Sequence, residues 1–142
     1  MNALDLRTAL LAPTAGFRRD DTVTIAGNAV VVLEPSAGDW RFAADKAREW
    51  LGLPEDADQA AINEAAKGDA GKGLDAALVV RVLCDPSGSR VFEDSDAETI
   101  RVQWGPEFAR AVSRSLRLAT LDSAMPVTDA KNVSPETQAA SS

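Results

Sequence analysis

The stretch Thr22-Val23-Thr24-Ile25-Ala26-Gly27-Asn28-Ala29-Val30-Val31-Val32-Leu33 decides the fold. Two runs rich in β-branched side chains, which favour extended backbone, flank Ala26-Gly27-Asn28. A Gly-Asn pair between such runs signals a tight reversal, so Asp21 to Leu33 is predicted to be a β-hairpin.

Working outward, Glu34-Pro35-Ser36 breaks the second strand, and the Ser36 hydroxyl can accept a free amide at the start of a helix. Trp40, Ala43, Ala44, Ala47 and Leu51 follow at spacings of three and four, which is helical periodicity, until Gly52 and Pro54 stop it. Glu55 to Lys67 is a weaker helix. Upstream, Leu4 to Ala12 is short and helical or irregular, ended by Pro13 and Gly16. Downstream, Lys67 to Gly73 is expected to be a flexible link.

Ala76 to Cys84 is nearly all apolar, with Arg81 its only charge. Periodicity cannot separate a buried strand from a buried helix there. Its valines and the turn signal Asp85-Pro86-Ser87-Gly88 favour a strand and a second hairpin with Arg90-Val91-Phe92. Asp94-Ser95-Asp96 offers helix-start chemistry before Ala97 to Val102, and Pro106 fits the first position of a last helix running to about Leu121. From Asp122 to Ser142 periodicity and aromatics are gone. The expected fold class is α+β: one small domain over residues 1–121 with two short β-hairpins and three to four helices, and a disordered C-terminal tail over 122–142.

Composition narrows function. A net charge of −7 over 142 residues opposes binding to nucleic acid or to an anionic membrane, because both need a concentrated basic surface. The first nineteen residues lack the basic start and long apolar stretch of a signal peptide. One cysteine allows no internal disulfide, and a reducing cytoplasm is the expected compartment.

Without histidine, the commonest general base and metal ligand is missing. Cys84 closes an apolar run and reads as a buried thiol. The glycines around Lys72 miss the phosphate-loop spacing, and Asp85, Ser87 and Ser89 lack the glycine that a calcium loop needs at its sixth position, where Arg90 stands. Glu93, Asp94, Asp96 and Glu98 are explained by helix capping. No catalytic, cofactor-binding or metal-binding residues are expected, and the chain reads as a binder rather than an enzyme.

On the last helix, Phe108, Val112, Ser115, Leu116 and Ala119 share one side, and Arg110, Arg114 and Arg117 the other. That stripe is either a solvated face or a docking face for an acidic protein surface. Trp104, like Trp40 and Trp50, is either an interface anchor or a packing residue. Arg110, Arg114, Arg117 and Trp104 are the candidate partner-binding residues.

The order of elements resembles that of the tail assembly chaperones of long-tailed bacteriophages. The residues that carry the resemblance are the turn Leu33-Glu34-Pro35-Ser36-Ala37-Gly38 and the stretch Asp85-Pro86-Ser87-Gly88-Ser89-Arg90-Val91-Phe92, followed by the acidic helix start Glu93 to Asp96. The resemblance covers roughly residues 1–121. It implies a factor of virion morphogenesis acting in the host cytoplasm, whose partners are the tail tape-measure protein and the tail-tube protein, with self-association a further expectation. The competing expectation is a structural neck or tail-completion protein retained in the virion.

Overall fold

The computed structural model describes residues 2–13 and 15–121; the tail expected over 122–142 lies outside them. The predicted hairpin is present. Strands β1 (Arg19–Ile25) and β2 (Asn28–Leu33) pair antiparallel, with Val23 opposite Val30 and Ile25 opposite Asn28. A bulge falls between Asp20 and Val23. The reversal itself is Ala26-Gly27, with φ of 52° and 79°, and Asn28 already belongs to β2. Positive φ at both central residues is the twist-matched geometry for a two-residue hairpin loop, and Ala26 adopts it despite its Cβ.

Helix α1 (Ala3–Leu10) precedes the hairpin, and α2 (Ala37–Leu51) follows it. Ser36 caps α2 as expected. Its hydroxyl accepts from the Asp39 amide at 3.1 Å, and the Asp39 carboxylate accepts from the Ser36 amide at 2.9 Å. Gly52 ends the helix in the left-handed region, where glycine pays no Cβ penalty. The weaker helix shortens to α3 (Gln59–Ala65), capped by Asp58.

The expected link after Lys67 is instead a 3-10 turn, Gly68–Gly71, whose Gly71 lies close against the Ala66 carbonyl. A Cβ added at Gly73, whose φ is 80°, would stand 2.9 Å from the Arg101 carbonyl oxygen. Glycine is there for a close backbone approach and not for looseness.

The main correction concerns Ala76 to Cys84. Most of this run is helix, α4 (Ala76–Val82), and only Leu83–Cys84 is strand, β3. Every α4 residue except Arg81 is buried, so the helix has no polar face for a period to reveal. The turn at Asp85–Gly88 forms: the Asp85 carboxylate accepts from the amides of Ser87 and Ser89 at 2.9 and 3.1 Å. The second hairpin is reduced to a single bridge between Cys84 and Arg90. β3 pairs instead with β2, Cys84 opposite Val31 and Leu83 opposite Val32, giving a three-stranded antiparallel sheet of order β1-β2-β3.

After a 3-10 turn at Asp94–Asp96 come α5 (Ala97–Val102) and α6 (Pro106–Thr120). The described residues thus hold six α-helices where three to four were expected, and the α+β class stands. α4 runs through the middle, packed against α2, α5 and α6, while α6 lies on β1 and β2. Val32, Val79, Val80, Val82 and Cys84 are completely buried.

Candidate functional site

Helix α6 is anchored at three levels. Pro106 opens it, where a missing amide costs nothing. The Glu107 carboxylate then reaches the hairpin tip and accepts from the Ala26 amide at 2.8 Å. One turn on, Ala111 and Val112 are buried, and Ser115, fully buried, donates its hydroxyl to the Leu33 carbonyl at 2.6 Å. At the far end, the Arg18 guanidinium donates to the Leu118 carbonyl at 3.4 Å and pairs with Glu34 at 3.7 Å.

These anchors fix which side of α6 faces out. Arg110, Arg114 and Arg117 share that outward side, and their surroundings differ. Arg114 forms an ion pair with Asp20 of β1 at 3.1 Å and donates to the Thr22 hydroxyl at the same distance. The Asp20 carboxyl is held below the usual carboxylate range, first by hydrogen bonds from Thr22 and then by the Arg114 guanidinium. The guanidiniums of Arg110 and Arg117 are exposed and have no ion-pair or hydrogen-bond partner among the described residues. Of the three, these two are available.

Trp104 is elsewhere. Its ring stacks on Phe108 with centroids 6.0 Å apart, and Phe108 meets Phe92 edge-on at 6.4 Å. All three rings are half-buried and packed against the core, on the side of α6 away from the arginines.

Cys84 is buried, and that burial pushes its thiol pKa up, which suits a packing role and not a nucleophile. Among the described residues no group of three or more Cys, Asp or Glu is placed to hold a metal. No described helix is long and apolar enough to cross a membrane.

Sequence reasoning gave no role to Arg81. Its guanidinium donates to Asp39 at 2.8 Å and to Asp94 at 3.1 Å, and lies 5.2 Å over the Phe42 ring. Arg90 joins by donating to Asp94 at 2.9 Å and to the Val80 carbonyl at 3.0 Å. The Asp39 bond raises the Arg81 pKa further. A lone charge in an apolar run needs such partners, because a partly buried charge left unpaired is destabilising. The signal was present in the sequence; only the partners were not.

A family model described as phage tail assembly chaperone matches residues 5–134. The chain belongs to that family. Among solved structures, this tail assembly chaperone is similar to the tail assembly chaperone of bacteriophage HK97, with 25% identity and a TM-score of 0.55. The alignment covers 82% of this chaperone and 98% of the HK97 chain. A search of curated proteins gives no match. The family model spans the hairpin, the buried α4 and the whole of α6, so the outward face of α6 lies within the shared region.

Proposed function

We propose that this tail assembly chaperone binds the tail tape-measure protein and helps recruit tail-tube subunits during virion morphogenesis, in the host cytoplasm and without catalysis. The docking surface is the outward face of α6, with Arg110 and Arg117 as the contacting cations and Arg114 beside them. The observation that supports this is their solitude. Both guanidiniums stand in water without a carboxylate partner among the described residues, in a chain whose net charge is −7. An acidic stretch on a partner would satisfy them, and arginine's planar fork suits carboxylates in pairs. Trp104 is left out of this surface because it packs on Phe108. Self-association is a separate part of the same reading.

The test is the double variant Arg110→Glu, Arg117→Glu, in binding assays with purified tape-measure protein and tail-tube protein at low salt. The helix keeps its apolar side, so circular dichroism should match the parent. Binding to the tape-measure protein should weaken, mainly through a slower on-rate and a shallower salt dependence. Unchanged binding by a folded double variant would rule this face out.

A further inference from the structure

The sheet has two sides, and α6 covers one of them. Asp20 stands opposite Val32 and carries the ion pair to Arg114, so the Asp20 side faces α6. Arg19 stands opposite Leu33, and Cys84 opposite Val31. Facing residues, and alternate residues of one strand, share a side. Arg19, Val31, Leu33 and Cys84 therefore lie on the reverse.

A pocket of about 320 Å³ opens there, at the lower end of the ~300–1,000 Å³ that small ligands fill. Pro13, Phe17, Leu33 and Cys84 give it apolar walls, and Arg81 and Arg90 also line it. Its two carboxylates are already engaged. Glu34 accepts from the Arg18 amide at 3.0 Å and pairs with the Arg18 guanidinium at 3.7 Å. Asp39 accepts from Arg81 at 2.8 Å and from the Ser36 amide at 2.9 Å. Asp85, in the neighbouring turn, turns its carboxylate onto Ser87 and Ser89.

Arg19 is different. A Cβ added at Gly88, which lines the pocket, would stand 3.6 Å from the Arg19 guanidinium, so that cation sits at the pocket mouth. The guanidinium has no ion-pair or hydrogen-bond partner among the described residues. Burial and then the Asp85 charge push the Cys84 thiol pKa up, and Arg19 and Arg90 pull against them. Both cations are thus within electrostatic reach of the pocket wall. An unpaired cation beside apolar walls suits a carboxylate joined to an apolar group, which neighbouring residues of an extended peptide supply.

We propose that this pocket takes an acidic residue and its apolar neighbour from an extended segment of a tail-protein partner, the carboxylate meeting Arg19 and Arg90 and the apolar side chain resting on Phe17 and Leu33. That the segment belongs to a tail protein rests on the function proposed above; the chemistry of the pocket does not. The site is on the opposite side of the sheet from α6, so the two surfaces can be tested apart.

The first probe is the peptide acetyl-Leu-Glu-Phe-amide, titrated into isotope-labelled full-length protein and followed by amide NMR spectra. It should move the signals of Phe17, Arg19, Gly88 and Arg90, with a dissociation constant of about 1 mM. Its Gln counterpart and acetate should each bind on the order of tenfold more weakly, since one lacks the charge and the other the apolar groups. Arg19→Glu and Phe17→Ala, with folding checked by circular dichroism, should weaken the peptide to a similar degree. The same two variants should weaken binding to purified tape-measure protein or tail-tube protein. The Arg110→Glu, Arg117→Glu variant should bind the peptide like the parent, so failure of the α6 surface is seen separately. A parent that does not bind the peptide, a Gln peptide or acetate that binds equally well, signals that move on α6 instead, or an Arg19→Glu chain that binds like the parent would each overturn the proposal. Peptide binding at the pocket with both tail-protein interactions unaffected by Arg19→Glu would overturn the assignment of the segment to a tail protein.

Discussion

The Ser115 hydroxyl and the Leu33 carbonyl meet at 2.6 Å in a site sealed from water, and that bond ties the last helix to the end of the second strand. Ser115→Ala removes the donor and leaves the carbonyl buried without it. The variant should lose about 1–3 kcal/mol, the cost of an unsatisfied buried polar group. Urea denaturation would read this as a lower midpoint at unchanged slope. A parent-like midpoint would mean that water reaches Leu33.

Arg81 links the first turn of α2 to the Asp94–Asp96 turn through its two carboxylates. Arg81→Met keeps an unbranched apolar stem and removes the charge, including the guanidinium that lies over Phe42. Its side chain is 25% exposed, so solvent softens the loss, and about 1.5–3 kcal/mol is expected for two charge-assisted bonds. Asp39→Asn should cost less, since its amide oxygen can still receive a hydrogen bond. Equal losses for the two variants would argue against Arg81 as the hub.

Ala26 holds φ of 52° at the hairpin tip, where a Cβ is unfavourable. Ala26→Gly should stabilise the protein by about 0.5–1 kcal/mol, after allowing for the freedom that glycine adds to the unfolded chain. The thermal midpoint should rise by a few degrees. A fall would mean that the turn relaxes to another type in solution.

Two aspartates should respond to pH with opposite signs. Asp20 has its pKa lowered in the fold, so its stabilisation is present at neutral pH and lost as pH falls through and below about 4. Asp75 has its pKa raised, so its ionisation opposes folding as pH rises above the ordinary carboxylate value. In dilute protein, Asp20→Asn should lower the urea midpoint at pH 7, and Asp75→Asn should raise it. Both differences should shrink toward pH 3, and a Asp75→Asn effect that persists there would have another cause.

What could be read in advance follows from how local each cause is. The first hairpin, the Ser36 cap and the Pro106 start are set by a few neighbouring residues, and all three appear where expected. Phe108 also falls on the core side of α6 as its spacing implies, and there it meets Phe92. The arginine stripe was visible as a pattern, yet the partner of Arg114 lies on β1, 94 residues away, where no spacing rule reaches. The exposure of α1 was equally hidden, because leucines at helical spacing ordinarily mean burial.

The misreading of α4 has a consequence for handling the protein. Val79, Val80 and Val82 carry side chains that suit an extended backbone, and only packing on three neighbouring helices keeps them helical. The matching run Val30-Val31-Val32 of β2 belongs to the same hydrophobic core. If the domain loosens, two short β-prone segments with Arg81 as their one charge are released together, a combination that seeds cross-β aggregation. Gentle heating or mild denaturant should therefore cloud concentrated stocks well before the chain is fully unfolded, and substitutions that tighten the packing around α4 should lengthen shelf life more than their effect on the melting temperature suggests.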